Sequence, residues 1–279
     1  MNDETAILDR YGVIGYPVAH SKSPTIHKLF AEQTDQHLSY ELLEVPPSKL
    51  EQAVRQFQRS GGRGLNITVP HKARATRLVD ELSEEASIAG AVNTLKIDGD
   101  RVVGHNTDGI GLVRDLVDNW QMGLTGKRLL ILGAGGATQG ILGPLLELEP
   151  RQTTIANRTV SKASALANHF GALGDVEAKR FVDIKNVEPY DLIINATSAG
   201  LGGETPPFPR DAVDSRRTAC YDLSYAFSVT PFIAWAKQVD AAKTRSGWGM
   251  LIEQAAESFH IWRGIRPDSA AVIKQLPVN

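Results

Sequence analysis

Short apolar, β-branched runs alternate with stretches of helical periodicity along the whole of this 279-residue chain. That alternation is the pattern of parallel sheets with crossover helices, so the predicted fold class is α/β. In the first part, strands are predicted over residues 11–15, 39–45, 65–69 and 91–97. The last turns back at Asp98-Gly99-Asp100 into 101–104, and helices fall between most of the others. From Lys127 the rhythm restarts with strand 129–132, a helix, strand 153–156, helix 161–170, and strands 192–195 and 219–223. Two α/β units are therefore expected. Helices over 250–262 and 270–276 close the chain without a further strand repeat, and pattern alone does not say which unit they join. The glycines and prolines of 200–209 predict a loop.

Composition narrows the function classes. A formal net charge of −2 and a pI near 6.4 leave no basic surface excess, so nucleic acid is not an expected partner. Cys220 is the single cysteine, which excludes an internal disulfide and a cysteine-based zinc or iron–sulfur site and suits a reducing compartment, with cytoplasm the default. Residues 1–10 carry Asp3, Glu4 and Asp9 and no long apolar run, and no segment has the length to span a bilayer, so neither export nor a membrane partner is expected. The seven histidines show no metal spacing and there is no G-x-S-x-G turn, so no metal and no serine chemistry is predicted.

Chemistry enters at Leu129-Leu-Ile-Leu-Gly133-Ala134-Gly135-Gly136-Ala137-Thr138, an apolar strand running into a glycine turn and then an apolar helix. Gly133 permits the tight turn, and Gly135 lets a pyrophosphate approach backbone N–H groups at the positive end of the helix. The third position of the usual G-x-G-x-x-G is Thr138, a β-branched residue where helix and strand normally meet closely. A glycine turn without a ligand is the plain alternative for this segment alone. The end of the following strand discriminates, because an NAD site usually places a carboxylate there to hold the ribose hydroxyls. This chain has Asn157-Arg158-Thr159 instead. Arg158 offers a planar cation to a 2′-phosphate, with Thr159 and Lys162 in reach, so NADP is favoured over NAD.

The first half holds a set of polar residues at element ends. Ser23-Pro24 fits a helix N-cap followed by proline at the first helical position, which accounts for Ser23 but not for Ser21. Two hydroxyls beside a helix start also suit a small carboxylate. In 65–69, Asn66 and Thr68 share one strand face opposite Leu65, Ile67 and Val69. Pro70 is expected to start a helix with Lys72 in its first turn, where a lysine opposes the helix dipole and has no structural explanation. In Asn106-Thr107-Asp108-Gly109, Thr107 or Asp108 suits a helix cap. Taken with Lys72, Asp108 also completes an acid–base pair. Asn93 interrupts an apolar strand and Gln254 an apolar helix stripe. Each amide requires partners, whether a bound polyol or a core backbone group. His71 and His105 flank the pair and read as local packing or surface groups.

Read in order, Ser21-Lys-Ser-Pro24, Asn66-Ile-Thr-Val-Pro-His-Lys72, Ala91-Val-Asn-Thr94, Asn106-Thr-Asp-Gly109, Gly133-Ala-Gly-Gly-Ala137, Asn157-Arg-Thr159, Asn195-Ala-Thr-Ser198, Tyr221-Asp-Leu-Ser-Tyr225 and Gly249-Met-Leu…Gln254 resemble the shikimate dehydrogenase family over essentially the whole chain. The resemblance implies NADPH-dependent reversible reduction of 3-dehydroshikimate to shikimate, a step of aromatic amino-acid (chorismate) biosynthesis. It implies a substrate domain over 1–107 with 247–279, a Rossmann-type NADP domain over 108–246, and a cleft between them. It makes Lys72 and Asp108 the catalytic pair, with the proton carried by either. Ser21, Ser23 and Tyr225 match positions that contact the substrate carboxylate. Asn66, Thr68, Asn93, Thr107, Asp108 and Gln254 match those around its hydroxyl and keto groups. Gly133 to Ala137, Asn157, Arg158, Thr159, Lys162, Thr197, Ser198, Leu223 and Gly247 match the cofactor side.

Two positions depart from the family pattern: Ser246 stands where aspartate is frequent before Gly247, and Leu223 occupies a variable place beside the nicotinamide. A quinate or dual quinate/shikimate dehydrogenase shares nearly every motif, although NAD-using quinate relatives tend to carry the carboxylate missing at 157–159. A non-catalytic nucleotide-sensing protein on the same fold is the alternative from another class, and intact Lys72 and Asp108 count against it. Monomer and homodimer are both compatible with the sequence.

Overall fold

The computed structural model describes residues 8–184, 188–197, 210–226 and 228–276. The chain packs as two units. The first runs to Gly111 and resumes over Ile252–Gln275, and the second is Leu112–Leu251 with Leu276 as its last described residue. The predicted loop 200–209 lies outside the described residues.

The first unit contains strands β1 (Asp9–Gly15), β2 (Leu38–Glu44), β3 (Gly62–Ile67), β4 (Glu81–Leu82), β5 (Thr94–Asp98) and β6 (Arg101–His105). Its helices are α1 (Ser23–Gln33), α2 (Leu50–Arg59), α3 (Lys72–Ala75) and α4 (Glu84–Ala89), followed by the start of α5 (Asp108–Arg114). The strand order is β2-β1-β3-β5-β6-β4. This sheet is mixed: the turn back at 98–100 gives the expected antiparallel pair of β5 and β6, while the antiparallel pairing of β5 with β3 departs from the parallel expectation. β5 runs antiparallel to both β3 and β6, because the two-way turn at 98–101 makes a hairpin and the short segment before β5 reverses the chain. One sheet face packs Ile14, Leu65, Ile67, Leu95 and Ile97 onto Val54 and Phe57 of α2.

Two strands differ in bounds from their predicted runs, β3 lying earlier, from Gly62, and β5 being shorter. β3 stops at Ile67, leaving Thr68 and Val69 in a turn with Val69 57% exposed, and β5 begins at Thr94, with Asn93 just before it. Helix α3 begins at Lys72 rather than Pro70. In α1, Lys22 occupies the N-cap and Ser23 lies one position inside, so the predicted Ser23 cap is not formed. The hydroxyl of Ser23 instead accepts from that of Ser21.

The other face of this sheet is aromatic. His27 of α1 is fully buried and stacks on Tyr40 of β2 with ring centroids 4.4 Å apart, and Phe30, Phe259 and Trp262 pack around it.

The second unit contains β7 (Arg128–Leu132), β8 (Gln152–Ala156), β9 (Val176–Lys179), β10 (Leu192–Asn195), β11 (Ala219–Asp222) and β12 (Lys243–Ser246), in the order β12-β11-β10-β7-β8-β9 and parallel throughout. Helices α6 (Gly136–Leu146), α7 (Val160–Phe170) and α8 (Pro231–Gln238) connect them. The central strands are buried on both faces, as parallel strands under crossover helices must be. The edge strands β9 and β12 are half-buried and polar, and their sequences, Val-Glu-Ala-Lys and Lys-Thr-Arg-Ser, carry no apolar run to predict them.

Helix α9 (Trp248–Arg263) carries the chain back to the first unit, and α10 (Ser269–Gln275) follows. Within the second unit a fully buried carboxylate, Asp115, joins the incoming and outgoing segments. It accepts two bonds from Arg245, at 2.6 and 2.9 Å, and one from the Tyr221 hydroxyl at 2.6 Å. A Cβ on Gly249 would fall 1.9 Å from its Oδ1, so only glycine fits there.

Burial pushes the His27 imidazole down to about 3. The unfolded chain, near 6.5, therefore binds the proton first on acidification. Stability contributed by neutral His27 is full above about pH 6.5 and declines toward pH 3. The unfolding free energy, measured in urea at a series of pH values, is expected to fall between about pH 6 and pH 4, and His27→Phe to reduce that slope by up to about 1.4 kcal/mol per pH unit.

Candidate active site

In the first unit the carboxyl end of β3, the segment before β5 and the start of α5 converge. Lys72 is anchored through its backbone, whose carbonyl accepts from the Val92 N–H at 2.9 Å. Its Nζ donates to Asp108 Oδ2 at 2.5 Å, with side chains 15% and 5% exposed. The other carboxylate oxygen, Oδ1, accepts from Asn93 Nδ2 at 2.9 Å. Both oxygens of Asp108 are thus acceptors to fixed donors, and the pair holds one geometry at the edge of a buried polar cluster.

Asn93 sets that geometry. Its Oδ1 accepts the Thr107 backbone N–H at 2.8 Å, a donor whose identity is unambiguous, so Nδ2 faces Asp108, Thr107 Oγ1 at 2.9 Å and Gln254 Oε1 at 3.3 Å. Asn66 is oriented by the same logic. Its Nδ2 donates to the Asn93 carbonyl at 3.2 Å, and its Oδ1 accepts the Tyr40 hydroxyl at 2.7 Å. Thr107 directs its hydroxyl into this cluster, and the backbone N–H of Asp108 is taken by Asn106 Oδ1 at 3.1 Å. The side chain that caps the start of α5 is therefore Asn106, in place of the predicted Thr107 or Asp108.

Gly111 lets this happen. A Cβ there would lie 2.7 Å from the Gln254 backbone N, so glycine alone allows α5 to press against α9 and bring Thr107 and Asp108 beside Gln254.

The structure thus gathers Lys72, Asp108, Asn93, Thr107, Asn66 and Gln254 into one hydrogen-bonded cluster. Thr68 sits half-buried beyond the end of β3, and its backbone N–H donates to the Ile14 carbonyl at 2.9 Å. Ser21 and Ser23 pair with each other at the start of α1, the Ser23 N–H donating to Ser21 Oγ at 3.3 Å. His71 packs away from the pair, bonded to the Val45 carbonyl at 2.8 Å and lowered in basicity by burial. Tyr40, Thr94 and Ser258 belong to the cluster and were not singled out from sequence. Ser258 lies one turn beyond Gln254 on the same face of α9, a spacing that offers the one available signal.

The second unit carries the glycine turn. Gly133 adopts φ +106°, a conformation few side chains accept, and its N–H donates to the Ala156 carbonyl at 2.7 Å. Thr138, in place of a third glycine, is fully buried and donates its hydroxyl to the Gly133 carbonyl at 2.9 Å. The β-branched residue thus ties the turn to the helix. Helix α6 starts at Gly136 with Gly135 as its N-cap, and no atom lies within 4 Å of where a Gly135 Cβ would stand. Backbone N–H groups at such a helix start have no intrahelical acceptor and favour an anion.

At the end of β8, Asn157 Nδ2 donates to the Thr159 carbonyl at 2.9 Å. Arg158, Thr159 and Lys162 are exposed, and Arg158 forms no ion pair among the described residues. Beyond β10, Thr197 donates through N–H and hydroxyl to Asn195 Oδ1, whose amide holds the buried Asp222. Burial raises the basicity of Asp222, against bonds from Thr230, Ser224 and Asn195. Leu223 O stands 2.4 Å from where a Gly247 Cβ would be, so residue 247 is held to glycine by backbone contact. The Tyr225 ring lies 5.2 Å from that of Trp248 within this unit. Ser198 falls outside the described residues.

A glycine turn on a parallel sheet, with an exposed arginine and no carboxylate at the next strand end, in a chain whose other unit holds a lysine–carboxylate pair, defines a dinucleotide-dependent α/β oxidoreductase. Family models agree. Residues 13–95 match the shikimate dehydrogenase substrate binding domain, 115–214 the shikimate / quinate 5-dehydrogenase model and 247–276 the shikimate 5′-dehydrogenase C-terminal domain. The chain is 53% identical over 270 residues to shikimate dehydrogenase (NADP(+)) of Alkalilimnicola ehrlichii, covering 97% of this chain and 99% of the relative. It is 49% identical over 269 residues to that of Hahella chejuensis, covering 96% and 98%. The crystal structure of shikimate 5-dehydrogenase from Thermus thermophilus, in complex with NADP(H) and shikimate, superposes with a TM-score of 0.84 at 32% identity, covering 96% and 98% of the two chains. The protein belongs to the shikimate dehydrogenase family.

Because Gly111 admits no side chain, Gly111→Ala is expected to destabilise the protein by about 1–3 kcal/mol in urea unfolding and to lower turnover. Gly123→Ala, with nothing within 4 Å of the added methyl, is expected to change neither.

Proposed function

We propose that this protein catalyses the reversible NADPH-dependent reduction of 3-dehydroshikimate to shikimate, a step of aromatic amino-acid biosynthesis. The observation that carries the reading is the 2.5 Å Lys72–Asp108 pair, oriented by Asn93, in a chain whose relatives are NADP-dependent shikimate dehydrogenases.

The residues present suit NADP. Gly133 to Ala137 supply the open helix start for the pyrophosphate, Arg158 with Thr159 and Lys162 the cations and hydroxyl for a 2′-phosphate, and Thr197, Leu223 and Gly247 line the strand ends of the same unit. NADPH bound there supplies the hydride.

The chain's own residues handle charge and protons. Hydride arrival turns a carbonyl into an alkoxide, which requires a proton and a nearby positive charge. An ammonium has three N–H donors. One from Lys72 is engaged by Asp108 Oδ2, so another is available for the developing oxyanion. Asp108, fixed at both oxygens, keeps the ammonium aimed and accepts from a neighbouring substrate hydroxyl. Asn66, with its N–H groups turned inward to protein acceptors, presents an acceptor oxygen and so selects hydroxyl groups over carbonyls. The paired hydroxyls of Ser21 and Ser23 at the start of α1 suit the substrate carboxylate. The single, buried Cys220 fits work in the reducing cytoplasm.

Steady-state oxidation of shikimate and of quinate, each with NADP⁺ and with NAD⁺, is expected to show preference for shikimate and NADP⁺. Preference for quinate with NAD⁺ would overturn the assignment. Lys72→Ala is expected to lower kcat by at least about a hundredfold while NADP⁺ affinity, followed by fluorescence titration, stays near wild type. Arg158→Ala is expected to weaken NADP⁺ far more than NAD⁺, and equal weakening of both would contradict a phosphate role.

A further inference from the structure

Behind the Lys72–Asp108 pair lies a row of hydroxyls with too few protons to satisfy every contact at once. Ser258, fully buried on α9, places Oγ 2.7 Å from Thr94 Oγ1, 3.0 Å from Asn66 Nδ2, 3.2 Å from Thr107 Oγ1 and 3.0 Å from the Gln254 carbonyl. Thr94, also fully buried, places its hydroxyl 2.9 Å from Asn93 Oδ1 and accepts from Asn66 Nδ2 at 3.1 Å.

Each hydroxyl donates once, so the proton positions follow from the fixed groups. Asn93 Oδ1 accepts only, because the Thr107 N–H has set that amide's orientation. A Thr94 proton directed at Asn93 leaves Thr94 Oγ1 as acceptor in the 2.7 Å contact, and Ser258 is then the donor. The opposite arrangement keeps the 2.7 Å contact but sends the Ser258 proton to the Gln254 carbonyl at 3.0 Å and leaves Asn93 Oδ1 the Thr107 hydroxyl at 3.2 Å in place of the Thr94 hydroxyl at 2.9 Å. The shorter bond to Asn93 favours the first.

We propose that Ser258 and Thr94 form a hydroxyl relay that positions the reacting pair: Ser258 O–H donates to Thr94 Oγ1, Thr94 O–H to Asn93 Oδ1, and Asn93 Nδ2–H to Asp108 Oδ1. An amide that accepts at its oxygen is polarised and donates more strongly at its nitrogen. The relay therefore tightens the hold on the one carboxylate oxygen that Lys72 does not take. Ser258 and Thr94 are positioning residues acting through Asn93, and the proposal rests on the reading of Lys72 and Asp108 as the reacting pair.

The test uses the full-length enzyme with Ser258→Ala, Thr94→Val and the double variant, assayed for shikimate oxidation with NADP⁺ and for urea unfolding. Each single variant is expected to lose about tenfold in kcat, while the KM for shikimate and the Kd for NADP⁺ stay within about twofold. Because both act through one chain, the double variant is expected to lose no more than the worse single, and Thr94→Ser to recover most of the loss. Additive losses, a rise in KM with kcat intact, or wild-type kcat in Ser258→Ala overturn the relay. Ser258→Ala alone decides the matter where Thr94→Val does not fold. Wild-type enzyme inert toward shikimate overturns the functional reading and the relay together, whereas an active wild type with unaffected variants overturns the relay only.

Discussion

The site in the first unit depends on the requirement that a buried amide find partners for both of its ends. Asn93 is 2% exposed and has no water to fall back on. Once its oxygen takes the Thr107 N–H, its nitrogen has to donate toward Asp108, and the carboxylate that remains is matched by Lys72. The same amide ties the segment before β5 to the start of α5 and, through Gln254, to α9. Three stretches, one of them more than a hundred residues away in sequence, are thereby held by one planar group. A hydrophobic residue at 93 would pack as well and orient nothing.

The second unit repeats the device with different neighbours. Asn195 accepts from Thr197 at its oxygen and donates to Asp222 at its nitrogen, fixing the strand ends β10 and β11 as Asn93 fixes those of the first unit. The glycine turn has a comparable internal lock in Thr138, whose hydroxyl closes on the Gly133 carbonyl. In both units, rigidity around the carboxyl ends of the central strands comes from buried side-chain polar groups bonded to backbone or to one another, while Arg158 is exposed.

Elements with dense apolar runs were legible in the sequence, because burial on both faces leaves nothing else at those positions; β7, β10 and β11 are of this kind. Polar edge strands were not, since β9 and β12 are held by ladder bonds to one neighbour and need no apolar side chains. Strand direction was legible only in part: the Asp98-Gly99-Asp100 turn marks the antiparallel return from β5 into β6, whereas nothing in 91–97 shows that β5 also runs antiparallel to β3. At the site, Lys72 stood out because it opposes a helix dipole, and Asn93 and Gln254 because they interrupt apolar stripes. Thr94, Tyr40 and Ser258 gave no such signal. A threonine in a strand and a serine in a helix are ordinary residues, and their hydroxyls matter through what lies across from them in space. The predicted Ser23 cap failed for a related reason, because a serine before a proline does not reveal whether its partner is the helix or a second serine.

Asp115 has a consequence for how such a chain is put together. The second unit is an insertion, interrupting the first between Gly111 and Ile252, and its incoming and outgoing segments are joined inside it by one buried carboxylate with Arg245, Tyr221 and the space at Gly249. A clasp of this kind sets the distance between the module's two ends inside the module itself, which lowers the closure cost of the long loop it makes in its host chain. Positions 115, 221, 245 and 249 are therefore coupled: a change of charge or size at any of them leaves the others without their partner.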